Sequence, residues 1–340
     1  MQNVTKSLSR DNKPIHHPRF KIVEVDGTTV TEPKAMANSY NQYFTTIADK
    51  IISKRKYNGN KSFRDYLSNR LLESFVFYEC DSVEVSSLIS LLKTNKSSGP
   101  NSIPTKILHI IKDKIADPLA KIFNLSLLVG KHPTIFQIAN VIPIFKNGSK
   151  LSVSNYRPIS LLSNLNKLLE QIVYKRVNEF LEMHLCLYTK QFGFRKNHST
   201  IHALIEITEN IRRALDNKKH ACGVFVDLQK AFDTVDHDIL IGKLEYYGIR
   251  GVTQNWFRSY LSNRKQFVSI YGVESDTMSI KYGVPQGSVL GPLLFLIYIN
   301  DLFTAIPFST VFHFADDTNL LNINKSLKRL RKEMNLDLGK

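Results

Sequence analysis

The sequence is poor in the residues and patterns that define several large protein classes. Among its 340 residues are three cysteines, Cys80, Cys186 and Cys222, and no two of them form a C-x-x-C pair. Neither a disulfide framework nor a zinc cluster is indicated, and we expect a reducing compartment. No basic and apolar signal sequence follows Met1, and the longest apolar stretch, residues 289–299, is far shorter than the roughly 20 residues that cross a bilayer.

Acidic residues are too few to balance the basic ones. The chain has 46 Lys and Arg residues against 30 Asp and Glu residues, so its formal net charge is +16. A surface this basic attracts polyanions, and because no membrane-spanning run is present, nucleic acid is the favoured partner. Hydrophobic residues make up 43% and charged residues 22%, which is typical of a folded globular protein of about two structural units.

Hydrophobic periodicity and turn residues predict a mixture of helices and short strands. Helices are predicted over residues 83–92, 163–184, 199–216, 236–248 and 291–301. Strands are predicted over residues 141–145, 156–160, 221–226, 266–271, 277–282, 310–314 and 318–323. In helix 163–184 we expect Glu170 on the polar side. In helix 199–216 we expect a buried stripe made of Leu204, Ile207, Ile211 and Leu215.

Acidic residues stand at the ends of two of the predicted strand regions. The continuous apolar run 221–226 predicts a strand buried on both faces, and it ends at Asp227. The runs on either side of Asp316 and Asp317 predict a tight hairpin with these two residues at its tip. Carboxylates in such places lose hydration unless a cation meets them, so two of these segments side by side would form an acidic pocket.

An acidic pocket of this kind suits Mg²⁺, which prefers oxygen ligands and keeps water or substrate phosphates in its shell. Two such ions can activate an attacking hydroxyl and stabilise a leaving pyrophosphate, so the pattern indicates phosphoryl or nucleotidyl transfer. Each acidic segment taken alone has a plainer explanation, because Asp is a common turn residue. The combination of both acidic segments in one chain favours a catalytic metal site over two ordinary turns.

Five ordered segments resemble the motifs of reverse transcriptases from non-LTR retrotransposons of the LINE type, with a jockey-like character. Three resemble the palm motifs and two, further upstream, resemble finger motifs. In chain order the segments are NYRPISLL at 155–162, QFGFR at 191–195, DLQKAFD at 227–233, GVPQGSVLGP at 283–292 and FADD at 314–317. The resemblance covers roughly residues 85–325. Residues 35–50 are more weakly similar to the stretch that precedes the polymerase in such elements.

The resemblance implies an α+β fold with the palm and fingers of a right-hand polymerase, in which helices pack on an antiparallel palm sheet. We expect a polar, basic linker or N-terminal extension over residues 1–80, a helical lead-in over 81–125 and a reverse transcriptase domain over 126–340. In the family, a further palm segment, a primer-gripping turn and a helical thumb follow the acidic hairpin. This chain ends 23 residues after Asp317, so we expect the thumb to be missing and the domain to be C-terminally truncated.

The resemblance also implies a set of catalytic and nucleotide-binding residues. Asp227, Asp316 and Asp317 would be the catalytic carboxylates that bind two Mg²⁺ ions, with Mn²⁺ as an alternative. Phe232, five positions after Asp227, would exclude a ribose 2′-hydroxyl, because the extra oxygen would clash or lose its water. From the sequence alone, a phenylalanine in the core is the favoured interpretation of Phe232.

Three further residues would hold the incoming nucleotide. Gln286 lies in a Gly- and Pro-rich turn, where the backbone can come close to a ligand. The strands predicted at 141–145 and 156–160 indicate a two-strand finger with a basic tip, and Lys146 and Arg157 lie on it. A guanidinium can bind phosphate oxygens with two parallel hydrogen bonds. Most Lys and Arg residues are merely solvated, and of these two Arg157 lies inside the firmer motif.

The function implied is RNA-directed DNA synthesis from a primer 3′-hydroxyl, in retrotransposition. Its partners would be an RNA template, a DNA primer and deoxynucleoside triphosphates, without a membrane, inside the cell in the cytoplasm and nucleus. One alternative is a catalytically inactive remnant that acts only as a nucleic-acid-binding module. Another is an RNA-templated RNA polymerase, which Phe232 disfavours. The sequence leaves the oligomeric state open.

Two other clusters of polar residues are given structural interpretations. His198 and His202 have a spacing that can bind zinc, but neither a third ligand nor an H-E-x-x-H pattern accompanies them. Asp233 and the run 236–238 follow the predicted strand that ends at Asp227, and we interpret them as capping residues at the start of a helix.

Overall fold

The computed structural model describes residues 23–339, apart from residues 26–27, 55–61, 68–69, 96, 98 and 101–102. Its architecture is a mixture of helices and sheets, as the sequence predicts. The helices are α1 (Pro33–Ile52), α2 (Ser82–Leu91), α3 (Thr105–Val129), α4 (Asn164–Met183), α5 (Thr200–Asp216), α6 (His237–Tyr246), α7 (Val252–Leu261), α8 (Leu290–Ile299) and α9 (Leu327–Leu338). Across the described residues, no helix combines the length and apolar character that crossing a membrane requires.

In the part of the chain that the structure describes, the strands form three sheets. They are β1 (Val23–Val25), β2 (Thr28–Val30), β3 (Ile138–Phe145), β4 (Tyr156–Leu161), β5 (His220–Val226), β6 (Lys265–Ile270), β7 (Val273–Glu274), β8 (Met278–Ser279), β9 (Thr310–Phe314) and β10 (Asp317–Asn324). Strands β1 and β2 pair with each other, and β5, β10 and β9 form an antiparallel sheet in that order. In the largest sheet the order is β4-β3-β6-β7, with β8 also paired to β6, and β3 runs parallel to β6.

The main hydrophobic core lies around α4 and α8. Helix α4 buries the apolar stripe that its periodicity predicts, including Leu168, Ile172 and Val177. Helix α8 is apolar on almost every side, because it contacts both α4 and α6. A helix that is apolar all round is the expected sequence for an element with neighbours on several faces.

The burial predictions for helix α5 and strand β5 are wrong. In α5, Leu204 and Leu215 are 61% and 62% exposed, whereas the helix buries Ala203 and Ala214 and packs Ile207 and Ile211 partly against the sheet. The buried stripe is therefore rotated by one residue toward small side chains, which allow a closer approach. Strand β5 is at the edge of its sheet, and Phe225 is 79% exposed, so the strand is not covered on both faces. An apolar run alone does not distinguish these two environments.

Part of the expected N-terminal extension packs on the largest sheet. Helix α1 begins after Glu32, whose carboxylate caps it, and its buried residues include Met36, Tyr40 and Phe44. The Tyr40 ring meets that of Tyr156 on β4 edge to face, with the ring centres 5.0 Å apart. Residues 1–22 of the extension lie outside the described residues. The division of the chain at residues 80 and 125 stays a prediction.

Candidate active site

A cleft of ≈ 720 Å³ lies between the β3–β4 hairpin and the ends of β5 and β10. The hairpin has the antiparallel pairing and the basic tip that the sequence predicts. The seven residues that the resemblance assigns to the site all line this cleft, although they come from five separate segments of chain. They are Lys146, Arg157, Asp227, Phe232, Gln286, Asp316 and Asp317. The structure thus brings the whole set together, while the role of each residue stays a prediction.

Strand pairing brings the three carboxylates to one end of the sheet. Val226 on β5 pairs with Thr318 on β10, so the residues just beyond them, Asp227 and Asp317, are neighbours. Asp316 lies in the turn between β9 and β10 and is half-buried, whereas Asp227 and Asp317 are exposed. Burial raises the pKa of Asp316, the charges of Asp317 and Asp227 add to the rise, and Arg157 acts in the opposite sense.

The donor chemistry of this acidic group fits a hard divalent cation. The mutual repulsion that raises the pKa of Asp316 is one that a cation would relieve. Within the part of the chain that the structure describes, no set of three or more His, Cys, Asp or Glu side chains is gathered tightly enough to hold a metal ion. Mg²⁺ commonly takes only one or two protein carboxylates and completes its shell with water and substrate phosphates, so a closed protein cage is not needed.

The segment 190–194 supports the acidic hairpin from the side. Gln191, buried to 3% exposure, accepts hydrogen bonds at Oε1 from the backbone N–H groups of Ala315 (3.0 Å) and Gly193 (2.8 Å). A Cβ atom at Gly193 would overlap the backbone of Ala315. Ala315 itself has a left-handed backbone with φ of 57°. Sequence reasoning did not single out Gln191, but the glycine between two phenylalanines was a signal of close backbone approach.

Three basic side chains line the same cleft. Lys146 and Arg157 are exposed residues of the β3–β4 hairpin. Lys230 lies with its Nζ 3.4 Å from the carbonyl oxygens of Ser154 and Tyr156. Burial lowers the pKa of Lys230, the charge of Asp233 opposes this change, and the charges of Lys146 and Arg157 add to the lowering. Lys230 is a candidate that sequence reasoning missed, since it lay unremarked inside the first palm motif.

Phe232 belongs both to the core and to the cleft. Its ring stacks on that of Phe295 with 4.4 Å between centres and meets the ring of Phe194 edge to face at 6.2 Å. It is half-buried, and it also lines the cleft. The core interpretation and the ligand interpretation are therefore compatible, because packing against Phe295 fixes the orientation in which Phe232 meets the cleft.

The turns that carry Phe232 and Gln286 are joined through their backbones. Val284 N–H donates to the carbonyl of Phe232 (2.9 Å), and Gly283 N–H donates to that of Val235 (2.7 Å). Gly283 has φ of 87°, and a Cβ there would lie 2.8 Å from two carbonyl oxygens of the other turn. Only glycine tolerates both conditions. Gln286 is joined to the finger as well, because its carbonyl accepts from Ser160 N–H at 2.7 Å.

The capping interpretation holds for Asp236 and is wrong for Asp233. Asp236 accepts hydrogen bonds from the N–H groups of Asp238 and Ile239 at the start of α6. Asp233 instead lines the cleft, where its Oδ1 accepts from Gln286 Nε2 at 2.7 Å. Burial raises the pKa of Asp233 to about 6, while Gln286 and Lys230 oppose the rise. The sequence did not separate the two residues because both precede a helix by a few positions.

A buried carboxylate supports the turn from behind. Glu170, expected on the polar side of α4, is fully buried and accepts from Val289 N–H (2.6 Å), Tyr260 OH (2.9 Å) and Asn166 Nδ2 (2.9 Å). Burial raises its pKa. The bond to Val289 fixes the start of α8, three residues after Gln286, so the expectation of an exposed Glu170 is wrong for a reason tied to the site.

Carboxylates at the ends of two adjacent antiparallel strands share one cleft with cationic side chains, an arrangement compatible with nucleotidyl transfer. Comparison with known families agrees with this geometry. Residues 144–336 match the family described as reverse transcriptase (RNA-dependent DNA polymerase). The chain belongs to this family of RNA-directed DNA polymerases, and the resemblance found in its motifs is confirmed.

Similar proteins are encoded by mobile elements of Drosophila melanogaster. The chain is 31% identical over 313 residues to the RNA-directed DNA polymerase from mobile element jockey, covering 88% of this chain and 33% of the relative. It is 36% identical over 245 residues to the probable RNA-directed DNA polymerase from transposon BS, covering 70% and 26%. For the corresponding protein from transposon X-element the values are 29% over 246 residues, covering 70% and 26%. The chain thus spans about a quarter to a third of the length of these relatives.

Replacing Gly193 with Ala should loosen the acidic hairpin. The added methyl would press on the backbone of Ala315, so we expect the free energy of unfolding to fall by about 1–3 kcal/mol, as in other overpacked sites. Urea unfolding measures the change. Gly223→Ala is the matched control, because the nearest atom to its Cβ would be a ring carbon of Phe225 at 4.0 Å. Equal stability of the two variants would contradict the proposed close contact.

Proposed function

We propose that this chain forms the palm and fingers of a right-hand polymerase and performs RNA-templated DNA synthesis. In the reaction, a primer 3′-hydroxyl attacks the α-phosphate of a deoxynucleoside triphosphate and pyrophosphate leaves. The observation that carries the proposal is the cleft that three carboxylates share with Lys146 and Arg157. Membership of the reverse transcriptase family supports the same reaction.

The three carboxylates would position the reacting groups. Asp227, Asp316 and Asp317 would hold two Mg²⁺ ions, or Mn²⁺, whose chemistry is to activate the hydroxyl and neutralise charge on the leaving pyrophosphate. The three side chains lie at the ends of paired strands, so their backbone positions are set before any substrate arrives. In reactions of this type, positioning and charge stabilisation provide most of the rate enhancement.

The basic side chains of the cleft would hold the triphosphate. Arg157 can bind phosphate oxygens with two parallel hydrogen bonds, whereas Lys146 acts as a point charge on the same side of the cleft. Lys230 lines the same cleft and would add positive charge beside them. Phe232 would contact the sugar and reject a 2′-hydroxyl.

The net charge suits long polyanionic substrates. A formal charge of +16 favours binding to the phosphate backbones of an RNA template and a DNA primer. Such binding releases counterions and should weaken steeply as salt rises. We place this activity in the cytoplasm and nucleus, where the template RNA and the target DNA of a mobile element are found.

A second candidate function is binding of nucleic acid without catalysis. It is favoured by one observation, namely that the exposed basic residues Lys146 and Arg157 line a cleft and could bind phosphates without any metal ion. A basic cleft would still hold RNA in that case. Primer extension separates the two candidates, because only the polymerase needs the carboxylates.

Replacing Asp316 with Ala should abolish extension of a DNA primer on an RNA template with Mg²⁺. RNA binding, measured by fluorescence anisotropy over a salt series, should persist because Asp316 is acidic and is not a phosphate ligand. Asp238→Ala is the matched control, since it removes an equal charge from a side chain that is 96% exposed and does not line the cleft. Equal extension by the wild type and Asp316→Ala would eliminate the enzyme interpretation.

Replacing Phe232 with Val should relax sugar selection. Loss of the ring removes the surface against which a 2′-hydroxyl clashes, so incorporation of ribonucleotides relative to deoxynucleotides should rise by about tenfold or more. Single-nucleotide extension with each nucleotide type gives the ratio. Phe225→Val makes the same change at an exposed ring outside the cleft and should leave the ratio unaltered. An unaltered ratio in Phe232→Val as well would remove Phe232 from this role.

A further inference from the structure

The side chain of Gln286 is hydrogen-bonded to an acidic residue that is not one of the three catalytic carboxylates. Its Nε2 donates to Asp233 Oδ1 at 2.7 Å, across 53 positions of sequence. Its backbone carbonyl accepts from Ser160 N–H at 2.7 Å. Gln286 is therefore held at both its backbone and its amide, by the finger on one side and by the first palm motif on the other.

The local structure does not account for a carboxylate at position 233. The N-terminus of α6 is capped by Asp236, so Asp233 has no part in starting the helix. The groups that face its carboxylate are the Gln286 amide and the positive charge of Lys230, with Tyr43 of α1 also within electrostatic reach. A desolvated carboxylate is unfavourable unless it is satisfied, and here the main hydrogen bond it receives comes from Gln286.

That bond determines how Gln286 can present itself to a ligand. The two ends of a glutamine amide have nearly the same shape and opposite hydrogen-bonding roles. An ionised carboxylate only accepts hydrogen bonds, so it selects the orientation with Nε2 toward Asp233. The carbonyl oxygen Oε1 and the second N–H remain as the groups that the side chain can offer within the cleft.

We propose that Asp233 is a positioning residue that orients the Gln286 amide for the incoming nucleotide, so that the pair determines nucleotide affinity. This inference rests on the proposed polymerase function and adds a residue to it. Asp233 acts through Gln286 and does not itself contact the reacting atoms.

The backbone around the pair allows the bond to be tested by itself. The two turns are joined by the hydrogen bonds of Gly283 and Val284 to the carbonyls of Val235 and Phe232, and these use no side-chain atoms. Removing the carboxylate of Asp233 should therefore free the Gln286 amide while leaving both turns in place.

The test compares Asp233→Ala, Asp233→Asn, Gln286→Ala and the double variant in the full 340-residue chain. We expect Asp233→Ala to raise the KM for deoxynucleotide by about tenfold with little change in kcat, a factor typical of a lost hydrogen bond to a charged group. Asp233→Asn keeps an oxygen acceptor but loses the charge and no longer selects one orientation of the Gln286 amide, so its KM should lie between those of the wild type and Asp233→Ala. In the double variant, loss of the carboxylate should add nothing to the effect of Gln286→Ala.

A structural role alone would give a different pattern. Asp236→Ala is the matched control, because it removes a cap of α6 and should lower thermal stability without raising KM. If Asp233→Ala does not fold, Asp233→Glu provides the same readout, since it keeps the charge and displaces the carboxylate by one methylene. An unchanged KM in a folded Asp233 variant, or effects that multiply in the double variant, would overturn the proposal.

A second readout separates this proposal from the polymerase function. Binding of a fluorescent deoxynucleoside triphosphate, followed by anisotropy, requires no extension. If the wild type fails to extend primers but binds the nucleotide about tenfold more tightly than Asp233→Ala, the polymerase function fails and the role of Asp233 stands. If the wild type extends primers and Asp233→Ala matches it in both readouts, only the role of Asp233 fails. A wild type without measurable nucleotide binding overturns both.

Discussion

The repulsion among three carboxylates at one end of a small sheet is the constraint around which the site is built. Left to themselves, like charges would separate, yet the pairing of Val226 with Thr318 fixes Asp227 beside Asp317. The turn between β9 and β10 adds Asp316, whose raised pKa reflects both its burial and the charges of the other two. Strand pairing thus holds the carboxylates together against their mutual repulsion, and a divalent cation and the basic residues of the cleft would stabilise this arrangement.

Several parts of the fold contribute to holding this arrangement. Gln191 and Gly193 pack on the hairpin tip, and Glu170 fixes the start of α8 behind the Gln286 turn. Helix α1 packs on the sheet that includes the finger, and the ring of its Tyr43 lies 5.5 Å from the Nζ of Lys230. Helix α1 therefore contacts a residue of the cleft, although its sequence predicted a polar extension. The site depends on support that reaches well beyond its motifs.

The sequence was most informative where a local pattern has one physical meaning. The period of α4 predicted its buried stripe, and the acidic pair between two apolar runs predicted the β9–β10 hairpin. It was least informative where partners distant in sequence decide the outcome. Glu170 is buried because Tyr260 and Val289 satisfy it, and nothing near position 170 reveals those partners.

The site shows the same division. The seven residues suggested by motif resemblance lie in one cleft, because ordered motifs carry information about distant contacts that periodicity lacks. The sequence did not assign three further residues to the site, because each is linked to the site by a contact with a distant segment. They are Asp233, Gln191 and Lys230. The expectation that strand β5 is covered on both faces was wrong, because an apolar run does not show how many layers of structure surround a strand.

The central claim is that Asp227, Asp316 and Asp317 act together on divalent cations. The most direct measurement is the binding of Mn²⁺, followed by electron paramagnetic resonance, to the complex of the chain with primer, template and deoxynucleotide. The account predicts about two bound ions in the wild type and a loss of protein-dependent binding in Asp227→Asn, with the nucleic acid still bound. Identical Mn²⁺ binding in the wild type and Asp227→Asn would contradict it.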